Sequence, residues 1–310
     1  MNARILAATS FLTALAGSLP AADPQLLKLV MPDAKAVSDV NFAQAVLTPF
    51  GQFALGQLTN PDIQKLITLT GFDPSKDLNE VLCASNGEAN TGLVLATGIF
   101  DPVKIGALAA KDGAVTETYQ GVTILVDPKK GNGVAFLNAG LMAAGDIANV
   151  KAAIGRQSAP TTLPDSLMKE ITMLSNTEDA WALTTVSPAS LHPAAPANKS
   201  ESVNGVTIPP NVFQQVQSGY AGVKFGSNIT VTAQAQTADA QSATNLAGML
   251  QLLQNFALMQ ASQNPDLAAF ARSISVTAQG TAVNFSASLP EEQFQALIKP
   301  KAREHSVHKK

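Results

Sequence analysis

The chain carries the same order of secondary-structure elements twice, and this duplication limits its fold more than any single motif does. In the first copy, "AKAVSDVNFAQAVLTPFGQFALGQL" reads as a strand followed by a helix, and a second helix starts at Asn60 and Pro61. "EVLCAS" and "GLVLATGIF" read as two strands, and Asp101 then caps a helix that begins with Pro102. "VTILVD", "GVAFLN" and "LMAAGD" are three more strands before Asp146 opens the closing helix "IANVKAAIGR". In the second copy, "EDAWALTTVSPASL" resembles "DAKAVSDVNFAQAV", and "GYAGVKFG" and "NITVTAQAQT" are two strands. A long helix follows from Asp239 to near Gln263, then a short one from Asn264 and Pro265. "SISVTAQG" and "AVNFSASL" precede the closing helix "EEQFQALIK".

Local chemistry supports these helix starts. Asp or Asn accepts a hydrogen bond from the first free amides, and proline at the first helical position has no amide proton to leave unsatisfied. Leu246, Met249, Leu250, Leu253, Phe256 and Ala257 form one apolar stripe on the long helix, which predicts a core-facing side. The strands are joined mostly by short turns, so they should pair antiparallel. The expected fold is α+β, with two related lobes, each an antiparallel sheet packed against helices. The first lobe covers 23–157 and the second 164–298.

The stretch "VDPKKGNGVAF" (126–136) tests whether the chain binds a nucleotide. A phosphate loop lies between a strand and a helix N-terminus, where free amides and the helix dipole meet the phosphate. Here a strand follows instead, and Asn132 and the glycines suit a tight hairpin.

The N-terminus begins "MNARILAATSFLTALAGSLPAAD". Arg4 is followed by an uncharged run from Ile5 to Leu19 and by a cleavage point at Ala21 or Ala22. This pattern predicts a signal peptide over 1–22, and hence export to the periplasm or the extracellular medium. The run is shorter than the roughly 20 residues a spanning helix needs. No other segment is apolar enough to cross a membrane, so the mature chain is expected to be soluble. Cys83 is the single cysteine, so no internal disulfide forms and stability must come from packing.

Net charge is −3 but unevenly placed. The tail 299–310 holds five Lys or Arg and one Glu and is expected to be a disordered basic extension. The rest holds fifteen Lys or Arg and twenty-two Asp or Glu, a balance of −7. Such a tail suits contact with an acidic or phosphate-bearing envelope polymer, although tails of this kind are more often simply solvated; a protein partner is the other candidate for the chain, and no specific nucleic-acid partner is expected.

Catalytic patterns are missing. The three histidines, His192, His305 and His308, have no metal-ligand spacing, so no metal site and no cofactor are expected. Ser166 to Lys169, "SLMK", matches the first element of a serine-acylating set but lacks its partner motifs, so it reads as the start of a surface helix. No catalytic residue is assigned. A hydrolase built from scattered Asp and Ser residues is the enzymatic alternative, and a periplasmic small-molecule carrier with a pocket between the lobes is a third.

One binding surface is proposed from alternation. Ile229, Val231, Ala233 and Ala235 face one way along their strand. Thr230, Thr232, Gln234 and Gln236 face the other, and Thr277 and Gln279 extend that polar face onto a neighbouring strand. Such a face suits a polar polymer or a protein partner. Trp181 in "AWALTTV" reads as core, and 187–210 reads as a long irregular loop.

The Ala-rich signal peptide, "DAKAVSDVNFAQAVLTPFGQFAL", "GFDPSKDLNEVLCAS" and "GLMAAGDIANVKAAIGR" together resemble uncharacterised exported bacterial proteins with a duplicated α+β lobe. The resemblance implies export and fold and carries no active site. The function expected is that of a non-enzymatic envelope or secreted binding protein.

Overall fold

The structure is a computed structural model, and it describes residues 22–57, 61–89, 91–191, 201–203, 206–208, 215–260 and 265–298. The first half contains α1 (Pro24–Leu27), β1 (Ala36–Asn41), α2 (Phe42–Ala45), α3 (Pro49–Gly56), α4 (Pro61–Thr70), α5 (Pro74–Asp77), β2 (Leu78–Ser85) and β3 (Leu93–Gly98). It continues with α6 (Pro102–Lys111), β4 (Val115–Tyr119), β5 (Val122–Asp127), β6 (Asn132–Asn138), β7 (Leu141–Asp146) and α7 (Ile147–Ser158). The second half contains α8 (Asp165–Thr177), β8 (Ala180–Thr184), α9 (Pro188–Leu191), β9 (Glu201–Val203), β10 (Val206–Ile208), β11 (Val216–Lys224) and β12 (Asn228–Thr237). It closes with α10 (Ala240–Gln260), α11 (Pro265–Ser273), β13 (Ser275–Gln279), β14 (Ala282–Pro290) and α12 (Glu291–Ile298).

The predicted caps form. The Asp101 carboxylate accepts from Lys104 N at 3.0 Å, that of Asp146 from Asn149 N at 3.0 Å, and that of Asp239 from Ser242 N at 2.7 Å. Asn60 and Asn264 lie outside the described residues, but α4 and α11 do begin at Pro61 and Pro265. "KKGNG" makes the turn between β5 and β6. There Asp127 O accepts from Gly131 N at 2.9 Å, and Gly131 takes a φ of 70°, a conformation glycine adopts at no steric cost. The loop at 187–210 carries more structure than expected, since its described part holds α9 and the antiparallel β9–β10 pair.

The fold is α+β, as expected. Twelve strands form one antiparallel sheet in the order β13-β14-β12-β11-β8-β1-β2-β3-β7-β6-β5-β4. The duplication appears as a topological symmetry. Outward from its centre, one half runs β1-β2-β3-β7-β6 and the other β8-β11-β12-β14-β13, with a helix joining β3 to β4 and helices joining β12 to β13. The first half adds β5 and β4 at its edge. The two half-sheets join edge to edge through β1 and β8, so neither leaves an open strand there.

Directly opposed residues share a face, so the register divides the sheet into two surfaces. On one, α1, α7 and α8 press Leu26, Ala153, Leu167, Ile171 and Leu174 against Val37, Leu82, Leu95, Trp181 and Leu183. The helix containing Ser166 and Lys169 is therefore half core, and only those two residues' side is exposed. On the other surface, α2 and α3 cover Val40 and Val81, while α10 covers Ala235, Val276, Val283 and Phe285. Leu246 and Ala257 of α10 are buried as the stripe predicts, but Phe256 is 40% exposed. At 3.6 residues per turn, Phe256 sits about 80° from Leu246, at the flank of the stripe.

Candidate functional site

Between the α2–α3 layer and α10, one stretch of the sheet has no helix packed directly on it. The register explains what it exposes. Phe285, Ala233, Ala221, Ala182, Ser38, Cys83 and Val94 are successive cross-strand partners over β14, β12, β11, β8, β1, β2 and β3. The middle five positions of that row are small. Side chains this short leave a hollow above the backbone, and larger residues rise on both sides.

The hollow is a cavity of about 930 Å³. Its floor is the small-residue row, its wall on one side is Leu246 and Leu250 of α10, and Pro188 and Leu191 of α9 close part of another. The volume lies in the range of small-molecule sites, about 300–1,000 Å³. The floor belongs to both halves, so the cavity exists only because β1 pairs with β8.

Its electrostatics are sparse. Among the described residues, Asp146 is the one Asp, Glu, Lys, Arg or His in the lining. That carboxylate is already engaged, accepting from Asn149 Nδ2 at 2.7 Å and from Gly92 N at 3.1 Å as well as capping α7. Burial pushes its pKa up, but the hydrogen bonds from Asn149 and Gly92 outweigh this and hold it below the usual carboxylate value. Gly145, beside it, has a φ of 148°, and a Cβ there would run into the Gly92 carbonyl, so this rim requires glycine. Cys83 is half-buried on the floor. Burial raises its thiol pKa, which outweighs a hydrogen bond with Ser38, so the sulfur stays protonated and weakly reactive.

The six residues Thr230, Thr232, Gln234, Gln236, Thr277 and Gln279 share one sheet face, with Asn284 and Ser288 among them. Four of them bind their neighbours. Thr230 Oγ1 lies 3.1 Å from Ser288 Oγ, and Thr232 Oγ1 donates to Glu178 Oε1 at 2.9 Å. Gln234 Nε2 donates to Asn284 Oδ1 at 2.8 Å, and Gln236 Nε2 to Gln234 Oε1 at 3.2 Å. The face is thus a polar ladder that satisfies much of its own hydrogen bonding. Of the six, only Gln234 also lines the cavity.

A second group of residues escaped the sequence reading. Asp39 and Glu80 on adjacent strands are 4% and 7% exposed and hydrogen-bond to each other. Burial, with repulsion from Glu80, pushes the Asp39 pKa up to about 9, and burial raises that of Glu80 as well. Glu80 Oε1 accepts from Asp23 N at 2.8 Å, while Asp39 Oδ1 has no partner among the described residues. Glu80 opens on a polar cleft of about 480 Å³ that Asn41, Gln44 and Asn138 also line. Among the described residues no three His, Cys, Asp or Glu side chains are grouped to hold a metal, and His192, His305, His308 and the tail lie outside those residues.

These features define an α+β protein with a duplicated antiparallel sheet and an apolar cavity at the join. No family model matches the chain, and no curated protein matches it. Solved structures of TP0453 do. Crystal form III matches with a TM-score of 0.55 at 11% identity, over 88% of this chain and 96% of that one. Crystal form I matches with a TM-score of 0.52 at 11% identity, over 88% and 95%. At that identity the likeness is one of fold. Among the described residues no helix is long and apolar enough to cross a membrane.

Proposed function

We propose that the protein is an exported, non-enzymatic binding protein whose ligand is an apolar small molecule held on the sheet over the join of its two halves. The observation that supports this is the 930 Å³ cavity floored by Ser38, Cys83, Ala182, Ala221 and Ala233, with a single, already engaged carboxylate in its lining. An apolar hollow of this kind stays poorly hydrated and gains free energy from any apolar group that fills it. The gain is about 0.8 kcal/mol per buried methylene. With no lysine, arginine or histidine among the described lining residues, a charged headgroup has no counter-ion there, so the ligand is uncharged or keeps its polar end at the opening. The test is titration with N-phenylnaphthylamine, which fluoresces in apolar surroundings. Saturable one-site binding, displaced by a long-chain alcohol, supports the reading, and no enhancement overturns it.

A second reading, a hydrolase, has one observation in its favour. Asp39 and Glu80 are acids with raised pKa beside a polar cleft. Asp39 is nearly sealed from that cleft, and Glu80 already accepts the Asp23 amide. A hydrolytic activity lost in Glu80→Gln would favour the enzyme over the carrier.

A further inference from the structure

Asp39 and Glu80 sit in a neighbourhood short of positive charge. The acids Asp23, Asp39, Glu80, Glu178 and Asp179 converge where β1, β2 and β8 meet the start of the described chain. Among the described residues lining the two hollows here, one is a cation, Lys224, and its Nζ is bound to Asp179 Oδ1 at 2.8 Å. Two carboxylate oxygens, Asp39 Oδ1 and Glu178 Oε2, are buried with no hydrogen-bond partner among the described residues. Both residues line a small hollow of about 10 Å³, room for about one water-sized group. Ala22 lines the same cavity and is itself 4% exposed. A buried carboxylate without a donor is costly, and a small cationic donor at this site would offset that cost.

We propose that the α-ammonium of the processed chain supplies this donor, and that removal of the leader creates the cation that docks onto Asp39 and Glu80. This rests on the reading of 1–22 as a signal peptide. The chemistry is hydrolysis by a leader-cleaving peptidase. Water adds across the peptide bond, the carboxylate leaves with the leader, and the amine stays on the chain and takes a proton. A cut after Ala22 places the ammonium at the Asp23 nitrogen, already 2.8 Å from Glu80 Oε1. A cut after Ala21 places it on Ala22, beside Asp39 and Glu178 in the small cavity. The first cut delivers the positive charge to Glu80 on β2 and the second to Asp39 on β1 and its neighbour Glu178, so either way the new terminus is tied to this acidic cluster. The leader-bearing chain makes this contact with a neutral amide, so processing adds a positive charge to a hydrogen bond that is already in place.

The test compares four forms: the chain purified from the medium or periplasm of an exporting host, the same chain with Gly-Ser added before its first residue, and each of these two carrying Asp39→Asn with Glu80→Gln. N-terminal sequencing comes first. A terminus at Ala22 or Asp23 supports the proposal, and a terminus elsewhere overturns both it and the leader reading. With the terminus correct, the native form should melt at least about 5 °C above the extended form, since breaking a buried ion pair leaves charge uncompensated. That gap should vanish in the double variant. Equal midpoints, or a gap that survives the double variant, overturn the docking while leaving the leader reading intact. An independent readout is the α-amino pKa by selective acetylation. A docked ammonium titrates well above the ordinary value near about 8, and an ordinary value overturns the proposal.

Discussion

Ser38 on β1 and Ala182 on β8 are direct cross-strand partners, and they stand where the two copies of the repeat meet. Backbone pairing here makes the half-sheets one continuous sheet, and the smallness of the two side chains leaves the surface above the join hollow. The join that makes the fold whole therefore also makes the cavity.

If the hollow binds an apolar molecule, filling its floor should block it. Ala182→Trp places an indole over Ser38 and Ala221 without touching the buried side of β8. N-phenylnaphthylamine affinity should fall at least about tenfold, the loss expected when roughly two methylenes' worth of burial is forfeited. The far-UV circular dichroism and thermal midpoint should change little, because the indole enters existing space rather than displacing packed side chains.

The opposite face of the sheet should behave as a rigid core. Leu82 is 0% exposed beneath α1 and α8. Leu82→Ala should cost about 2–5 kcal/mol by urea denaturation, through lost burial and the cavity left behind. Probe binding measured well below the melting temperature should survive, since Leu82 points away from the cavity floor.

The Asp39 carboxyl gives a pH signature. In a chain with an extended N-terminus its folded pKa is pushed up to about 9 by burial and by Glu80, against an ordinary value of 3.8. The folded state then holds a proton that the unfolded state has lost, so the stability it contributes is full below about pH 4 and is lost as pH rises towards 9. Urea midpoints of the extended chain should therefore fall across that window. Asp39→Asn should flatten the slope, and so should the free ammonium of the processed chain, which favours the ionised carboxylate.

Much of this fold is legible in the sequence because its determinants are local. Asp101, Asp146 and Asp239 cap helices within a few residues of themselves, and alternation along Asn228–Thr237 sorts its side chains onto two faces. What depends on distant pairing is not legible. No local signal aligns Ser38 with Ala182, so the small-residue row appears only once the register is known. The strand alternation of β12 does separate Ala233 and Ala235 from Thr232 and Gln234, but an alanine face reads as ordinary core until the helices are seen to pass it by. Asp39 and Glu80 are likewise invisible in sequence, since each sits in its own strand pattern as a single acid near apolar neighbours.

Asp146 joins fold to site. Its carboxylate caps α7 and ties β3 to β7 through Gly92 at the cavity rim. Asp146→Ala should cost about 0.5–2 kcal/mol as a lost cap, read from the thermal midpoint at neutral pH. Because its folded pKa is held below the usual value, the stability it contributes is present above the unfolded pKa of about 4 and lost on further acidification. The gap between wild type and Asp146→Ala should therefore close in acid, whereas Asp146→Asn should retain part of the cap at every pH.

Cys83 provides a reporter at the floor of the cavity without adding a label site. It is the single cysteine, half-buried, and burial keeps its thiol protonated at neutral pH. Maleimide should react with it more slowly than with a free thiol, because the thiolate is the nucleophile and is scarce here. A long-chain alcohol bound in the cavity should slow the reaction further by covering the sulfur, and Ala182→Trp should remove that protection by excluding the ligand. Protection that persists in Ala182→Trp would mean that the alcohol binds elsewhere, and the cavity would lose its claim to be the site. Unfolding in urea should bring the rate up to that of a free thiol, which separates shielding by the fold from modification of the sulfur itself.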